Sequence, residues 1–315
     1  MNHRFDGYAW LPFGLSLAML AGPVWAQQTP QQSSRQPAAQ EARQPAPQEN
    51  RRPPFQLTPQ EEAQVETILK RWEEHNKTIK TFDCRFERWT YDMVFGQPNA
   101  QGNMPARFDD VGCLRYVAPE SLAFQVDATK KTDGTEVPID GNRAEHWVCD
   151  GKSIFEFKHL QKKLIEHQLP PEGQGKTSGN PLLPLYFALV TPPLSFFFGT
   201  EATTLKERYW IRVLPKDAQN QIWLEAWPKD PKQAACFKFA QFIIDSTNIN
   251  PFGLLLMQPN GKDYTTYQFW DVVVNDRSKI FKLSDPLNPS TPRGWTKIVE
   301  PAVPVQPQGQ PPAAD

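Results

Sequence analysis

The apolar residues in the central part of the chain recur mainly at every second position, and turn residues separate one run from the next. A period of two sends successive side chains to opposite faces of a β-strand, so the pattern predicts a long series of strands. Gly, Pro, Asn and Asp mark turns at regular intervals, which is typical of an antiparallel meander. The predicted strands and hairpins are Cys84–Phe95, Val111–Ala118, Leu122–Val126, His146–His159, Lys162–Leu169, Tyr209–Leu214, Ile222–Trp227, Cys236–Ile244, Leu254–Gln258, Tyr264–Val274 and Lys279–Leu283.

The hairpin over His146–His159 gives the strongest local signal. Asp150-Gly151 predicts a type I′ turn, because both central positions of that turn need a positive φ. Alternation then places Phe155 and Phe157 on the same face of the second strand. Nothing in this hairpin suggests a catalytic centre, and its aromatic residues favour a sheet that holds something apolar.

One amphipathic helix is predicted before the strands. Thr58 and Pro59 form a helix start, with Glu61 near the positive end of the helix dipole. The apolar side chains that follow at helical spacing are Val65, Ile68, Leu69 and Trp72. A helix with one apolar face is expected to pack on the sheet.

The two ends of the chain differ in composition from its middle. Residues 1–26 contain a short apolar stretch and the small-x-small site Val24-Trp-Ala26, which together predict a secretory signal peptide. Residues 27–57 are rich in Gln and Pro and predict a disordered linker, and residues 290–315 predict a disordered Pro-rich tail. The folded domain is therefore expected over residues 58–289, in a periplasmic or otherwise exported protein.

The stretch from Asn180 to Gly199 is apolar and interrupted by proline, and it is too short to span a bilayer. Leu185, Tyr186 and Leu189 are spaced for a short helix that is apolar nearly all round. Such a helix must be buried or inserted into a cavity. The sequence leaves open whether it is a plug in the core or a movable lid over a ligand.

Composition narrows the function. The formal net charge of −1 argues against nucleic acid as a partner. Four cysteines leave three pairings or free thiols open. His159 and His167 do not fall opposite each other in the predicted meander, and no catalytic motif or metal-site spacing is present. The sequence therefore favours a binding protein without a cofactor or a metal.

The order of elements resembles that of periplasmic lipoprotein carriers and receptors of the LolA/LolB type, and of an uncharacterised exported planctomycete family with that fold. The stretches that carry the resemblance lie within about Thr58 to Pro289. They are Phe82–Phe86, Gly112–Pro119, Cys149–Phe157, Ile222–Pro228, Gly261–Asn275 and Phe281–Pro286.

This resemblance implies a mainly β (α+β) fold, in which one curved antiparallel sheet forms an unclosed barrel. An N-terminal helix and a short apolar helical lid would cover its concave face, with acyl chains between sheet and lid. Carriers of this type have an arginine immediately before the proline that ends the second strand, and here that position is Ala118. Arg115 cannot replace it, because strand alternation turns it to the opposite face.

The leading hypothesis is a non-enzymatic, monomeric binding protein that holds the acyl chain of a lipid or lipoprotein and carries it through the periplasm. Its candidate ligand-binding residues are Leu114, Tyr116, Phe124, Phe155, Phe157, Leu185, Tyr186 and Leu189. A structural or sensory domain that binds a protein partner, such as a membrane-associated protein, is the alternative on the same fold. A hydrolase with a spatially assembled site is a third interpretation.

Overall fold

The computed structural model describes residues 52–119, 121–139, 143–169, 201–215, 220–276, 287 and 289–302. Within these ranges the chain is mainly β, as predicted, and has few helices. Among the helices described, none is long and apolar enough to cross a bilayer. The predicted signal peptide, the predicted strand Lys279–Leu283 and the apolar stretch from Asn180 to Gly199 lie outside the described residues.

The described elements comprise three helices and thirteen strands. The helices are α1 (Pro59–Thr78), α2 (Ala202–Arg208) and α3 (Pro231–Ala234). The first seven strands are β1 (Thr81–Tyr91), β2 (Phe108–Val117), β3 (Ser121–Lys130), β4 (Glu136–Pro138), β5 (Glu145–Cys149), β6 (Ser153–Lys158) and β7 (Lys163–Gln168). The others are β8 (Tyr209–Val213), β9 (Gln221–Pro228), β10 (Phe239–Asp245), β11 (Pro251–Met257), β12 (Tyr264–Val274) and β13 (Thr296–Glu300).

These strands form one curved sheet in the order β13-β7-β6-β5-β3-β2-β1-β12-β11-β10-β9-β8, and β4 adds to β3. The strand order thus contains two meanders, β1 to β7 and β8 to β12, joined where β1 pairs with β12. β13 and β8 stand at opposite edges of this order, so the sheet is unclosed. The unclosed sheet implied by the resemblance is confirmed. It is mixed rather than wholly antiparallel, because β13 pairs with β7 in parallel.

Helix α1 begins with a capping box, as its sequence predicts. The Thr58 hydroxyl accepts from the Glu61 N–H, and the Glu61 carboxylate accepts from the Thr58 N–H at 2.8 Å. Its buried apolar residues Val65, Leu69 and Trp72 lie in the main core, where the Trp72 ring meets that of Phe242 edge-on at 6.1 Å. The face of the sheet that carries Phe242 is called the helix-side face below, and the opposite one the outer face.

The turn of the β5–β6 hairpin differs from the type I′ prediction. Only Gly151 has a positive φ, of 86°, and Asp150 does not. The Asp150 carboxylate instead accepts from the backbone N–H groups of Lys152 and Ser153, both at 2.8 Å. The type I′ prediction is therefore wrong, because the aspartate acts through its side chain and leaves the left-handed conformation to the glycine.

Both predicted ends of the domain also need correction. Thr296–Glu300, assigned to the tail, form β13 against β7. Phe55, assigned to the linker, lies under the Arg212 guanidinium at 4.8 Å, and Leu57 packs against the main core. The proline-rich composition of both segments predicts disorder. A few apolar residues are nevertheless enough to anchor a short stretch on an existing sheet.

Candidate functional site

The helix-side face carries three of the predicted ligand-binding residues. Leu114, Tyr116 and Phe124 are all buried in the main core. Leu114 pairs with Phe124 across β2 and β3, and Tyr116 follows two residues after Leu114 on the same face. The structure therefore brings these three together, as strand alternation predicts.

An aromatic cluster forms the centre of this face. The Phe86 and Phe124 rings stack with centroids 5.0 Å apart, and the Tyr267 and Phe269 rings meet Phe86 edge-on at 5.7 and 6.4 Å. Gly112 makes this packing possible, because a Cβ atom there would lie 2.5 Å from Cζ of Phe86. The cluster is therefore closely packed around the junction of β1, β2 and β12.

Phe155 and Phe157 lie on the outer face, and grouping them with Leu114 is wrong. Register shows why: Phe124 pairs with Trp147, whereas Phe155 pairs with the next residue, Val148. A shift of one residue reverses the face that a side chain occupies. Phe155 and Phe157 belong to a second core cluster of Ala123, Val148, Leu164 and Leu287, with Val117 and Trp295 packed against it.

The predicted lid residues Leu185, Tyr186 and Leu189 lie outside the described residues. Their part in a site stays a prediction.

The apolar helix-side face is wider than one helix can cover. An α-helix is roughly 10–12 Å across with its side chains, and neighbouring strands are about 4.8 Å apart, so one helix covers two or three strands. Among the described elements, α1 packs on β8 and β10 and beside α2. At the far side, β1, β2, β3, β5 and β6 still direct apolar residues to this face. They are Phe82, Phe86, Leu114, Leu122, Phe124, Val126, Trp147 and Ile154.

A buried charged cluster stands at one end of this apolar face. The Arg88 guanidinium donates to Asp110 Oδ2 at 3.0 Å and to Glu145 Oε1 at 2.6 Å. Arg143 reaches the other Asp110 oxygen at 2.5 Å. Burial lowers the pKa of Arg88, but Tyr267 and the two carboxylates outweigh that effect, so the pKa lies above its usual value. Burial raises the pKa of Glu145, although the Arg88 charge opposes the rise.

The sequence contains a signal for this cluster, although its residues form no catalytic motif. Arg88 is in phase with Phe82 and Phe86 along β1, so alternation alone puts a cation on the apolar face. A charge in phase with core residues needs a partner, because an unpaired buried charge is costly. Its partners come from β2 and β5, and only the three-dimensional register identifies them.

A polar cleft of about 290 Å³ opens beside β3 and β5. The His146 ring in its wall stacks on Phe157 at 4.1 Å and on His159 at 5.6 Å. Burial and the neighbouring His159 lower the pKa of His146 to about 4, so its imidazole is neutral at pH 7. The cleft is lined by Gln125, Val126, Asp127, Ile139, Ala144, Glu145, His146, His159 and Leu160.

The histidines and cysteines carry no metal-site geometry in the part of the chain that the structure describes. His159 faces His146 on the outer side, whereas His167 pairs with Ile154 on the helix side. Cys84, Cys113, Cys149 and Cys236 are free thiols, and burial raises the pKa of Cys84 well above its usual value. This answers the pairing question that the sequence left open.

The position before the proline that ends β2 departs from the carriers in the way the sequence indicates. Ala118 packs against the main core, and Arg115 lies on the outer face, 3.5 Å from the Asp83 carboxylate. Arg115 is thus directed away from Leu114 and Tyr116. The structure supplies no arginine at the carriers' position.

Comparison with known proteins gives similarity in structure only. No family model and no curated protein sequence matches the chain. An uncharacterised conserved protein from Thermus thermophilus matches with a TM-score of 0.39 and 10% identity, over 76% of this chain and 99% of that one.

Two further solved structures are similar to this chain. A putative outer membrane lipoprotein-sorting protein domain from Vibrio parahaemolyticus matches with a TM-score of 0.32 and 10% identity, over 71% of this chain and 99% of that one. A LolA superfamily protein from Nitrosomonas europaea matches with a TM-score of 0.29 and 11% identity, over 69% and 96%. At these identities and scores, the similarities carry no argument about what this chain binds.

Proposed function

We propose that the protein is an exported, non-enzymatic binding protein that holds an acyl chain of a lipid or lipoprotein against the helix-side face. The observation that supports this most is the width of that face. Its apolar side chains continue across β1, β2, β3, β5 and β6, beyond strands β8 and β10 on which α1 packs. Each methylene buried on such a surface contributes about 0.8 kcal/mol, so a chain of ordinary length would bind tightly.

The charged cluster gives the bound molecule an orientation. Arg88, Asp110 and Glu145 occupy one end of the apolar face, and the half-exposed Arg143 adjoins them. A polar head group would lie at this end, with the acyl chain running along Phe86 and Phe124. These two side chains are 0% and 1% exposed in this structure, so the proposal requires this face to open when the chain binds. The protein would keep its cargo in the periplasm, and release of the cargo would depend on a group other than the arginine that Ala118 replaces.

The first experiment is extraction of lipid from the protein purified after export. Intact mass should show a chain that starts at Gln27, and mass spectrometry of an organic extract should show a stoichiometric acyl species. A fluorescent fatty acid should then bind the delipidated protein. An extract without acyl lipid, together with no binding of the probe, would contradict the proposal.

Matched variants locate the site. Phe124→Leu on the helix-side face should weaken binding of the probe several-fold, because it removes aromatic contact from the acyl surface. Phe155→Leu makes the same change on the outer face of the sheet and should leave probe affinity unchanged. Circular dichroism checks that both variants are folded. Equal effects of the two substitutions would place the acyl chain elsewhere.

A second candidate function is an interaction domain that binds a protein partner. The observation that favours it is β13, whose five residues are all exposed at an edge of the sheet. An exposed edge strand can accept an extended peptide as a further strand. A clean lipid extract, combined with partner binding that Ile298→Pro abolishes, would favour this function over the first.

A further inference from the structure

A row of half-exposed apolar side chains crosses the outer face at one end of the strands. Tyr91 stacks on Tyr264 at 4.5 Å, and Tyr264 pairs in turn with Met257 of β11. On the far side of Met257 the Phe239 ring lies 4.9 Å from that of Trp227. Cross-strand neighbours thus connect six strands. The row consists of Tyr91, Tyr264, Met257, Phe239, Trp227 and Trp210.

The row ends at an apolar tip, the turn Met93-Val94-Phe95, which is separated from β1 by Asp92. The side chains of Met93 and Val94 are 39% and 41% exposed, and Phe95 is 82% exposed. This turn is firmly held: the Asp263 carboxylate accepts from the N–H groups of Met93 and Val94, and Asp92 accepts from that of Phe95 at 2.8 Å. The fold therefore presents an exposed phenylalanine on a fixed support beside Tyr264.

The charges around the row and the tip favour a partner with a negatively charged surface. The carboxylates of Asp92 and Asp263 are engaged by the backbone of the tip, and Asp230 caps α3. Hydrogen bonding from the Phe95 N–H is the main reason that the pKa of Asp92 lies below its usual value. Arg107 pairs with Asp92 at 3.0 Å, and the other cations at this end are Lys229, Lys232, Lys238 and Lys262.

We propose that the row and the tip form a docking surface for a lipid bilayer with anionic head groups. Tyrosine and tryptophan side chains favour the interface between head groups and acyl chains, and lysines beside them gain from anionic lipid. An exposed apolar tip binds best to a deformable surface. A bilayer is deformable, so Phe95 can insert into it without a matching pocket. This surface is separate from the helix-side face, so it adds a docking function to the proposed binding function.

The test is flotation of the exported protein, shown by its mass to lack residues 1–26, with two kinds of vesicle. One contains phosphatidylcholine alone and the other adds phosphatidylglycerol. The protein should float with the mixed vesicles, and Phe95→Ser should weaken that binding at least about tenfold, the value expected for an apolar side chain of this size. Leu160→Ser is the matched control, because Leu160 is 57% exposed in the β6–β7 turn, away from the tip.

Binding that Phe95→Ser weakens and Leu160→Ser preserves supports the docking surface. Equal binding of both variants, or no flotation of the unmodified protein, overturns it. A change in oligomeric state with Phe95→Ser and no flotation would identify a contact between copies and also overturn it. Binding of the fluorescent fatty acid should be unchanged in Phe95→Ser, so failure here is distinguishable from failure of the proposed function.

Discussion

The Arg88 guanidinium donates to the Asp110 carboxylate at 3.0 Å in a place where both side chains are nearly inaccessible, at 11% and 2% exposure. The pair links β1 to β2 on a face whose residues are mainly apolar. Ion pairs in such places are expensive to break, because each partner then remains buried without a counter-charge.

Replacing Arg88 should therefore destabilise the fold strongly. Arg88→Met is expected to cost about 3 kcal/mol of unfolding free energy, since it leaves Asp110 and Glu145 with less compensation. Urea denaturation measures it. Arg85→Met is the control, because Arg85 lies on the same strand in an exposed ion pair, at 46% exposure, with Glu136. It should cost less than about 1 kcal/mol, and a similar loss in both variants would show that burial of the pair does not matter.

Gly112 is expected to tolerate no side chain. A Cβ atom there would lie 2.1 Å from the Gln125 carbonyl oxygen and 2.5 Å from the Phe86 ring. Gly112→Ala should lower the unfolding free energy by about 3 kcal/mol, because backbone as well as side chain must shift. Gly134→Ala provides the comparison: its positive φ costs about 1 kcal/mol, but no atom lies within 4 Å. Thermal unfolding that ranks these two variants the other way would contradict the packing around Phe86.

His146 should make the protein less stable in mild acid. Its pKa is lowered to about 4 in the folded state, below the usual value of 6.5. A depressed pKa contributes stability above 6.5, and that stability is lost as the pH falls towards 4. His146→Phe keeps a ring against Phe157 but cannot take up a proton. Relative to the unmodified protein, the variant should therefore gain stability between about pH 6.5 and 4 in urea titrations.

His167 lies in the same sheet and should change stability with pH in the opposite direction to His146. The Glu156 carboxylate is the main group that raises its pKa above the usual value, with Glu300 adding to it. A raised pKa contributes stability that is full below the unfolded pKa and is lost as the pH rises. His167→Gln should therefore lose stability relative to the unmodified protein in acid and not in alkali. If both histidine variants gained or both lost stability on acidification, at least one of these two pKa shifts would be wrong.

Asp109 should behave as a carboxyl group that ionises near neutrality. Burial is the main cause that raises its pKa to about 7, and the adjacent Glu87 carboxylate adds to the effect. Its contribution to stability is full below its unfolded pKa and is lost as the pH rises to about 7. Asp109→Asn should thus increase the free energy of unfolding above neutrality and change it little in acid. The increase should be only about 1 kcal/mol, because partial exposure screens the charge. Chemical denaturation across that range checks it.

The sequence predicted most strands and the course of the sheet, because alternation and turn residues are local signals. β12 has the predicted bounds, Tyr264–Val274, and helix α1 has its predicted cap. The faces of β2 are confirmed as well, with Leu114 and Tyr116 opposite Arg115. The features that could be predicted are those determined by residues close together in the sequence.

The candidate site was harder, because it depends on register between strands. Alternation within β6 correctly placed Phe155 and Phe157 on one face of the sheet. It could not show whether that face also carries Phe124. The pairing of Phe155 with Val148, the neighbour of Trp147, decides that question. β13 was missed for a related reason: its partner β7 lies more than a hundred residues earlier in the chain.

That distance along the chain has a consequence for synthesis and export. Until residues 296–300 are available, β7 would stand at the rim of the sheet with one side of its backbone unpaired. Such a rim is a template for pairing with other chains, and it exists while the rest of the meander can already fold. β13 is the last strand among the described residues, so β7 is covered only near the end of synthesis, and β13 then becomes the short edge strand. A prematurely shortened protein would leave β7 itself exposed to such pairing.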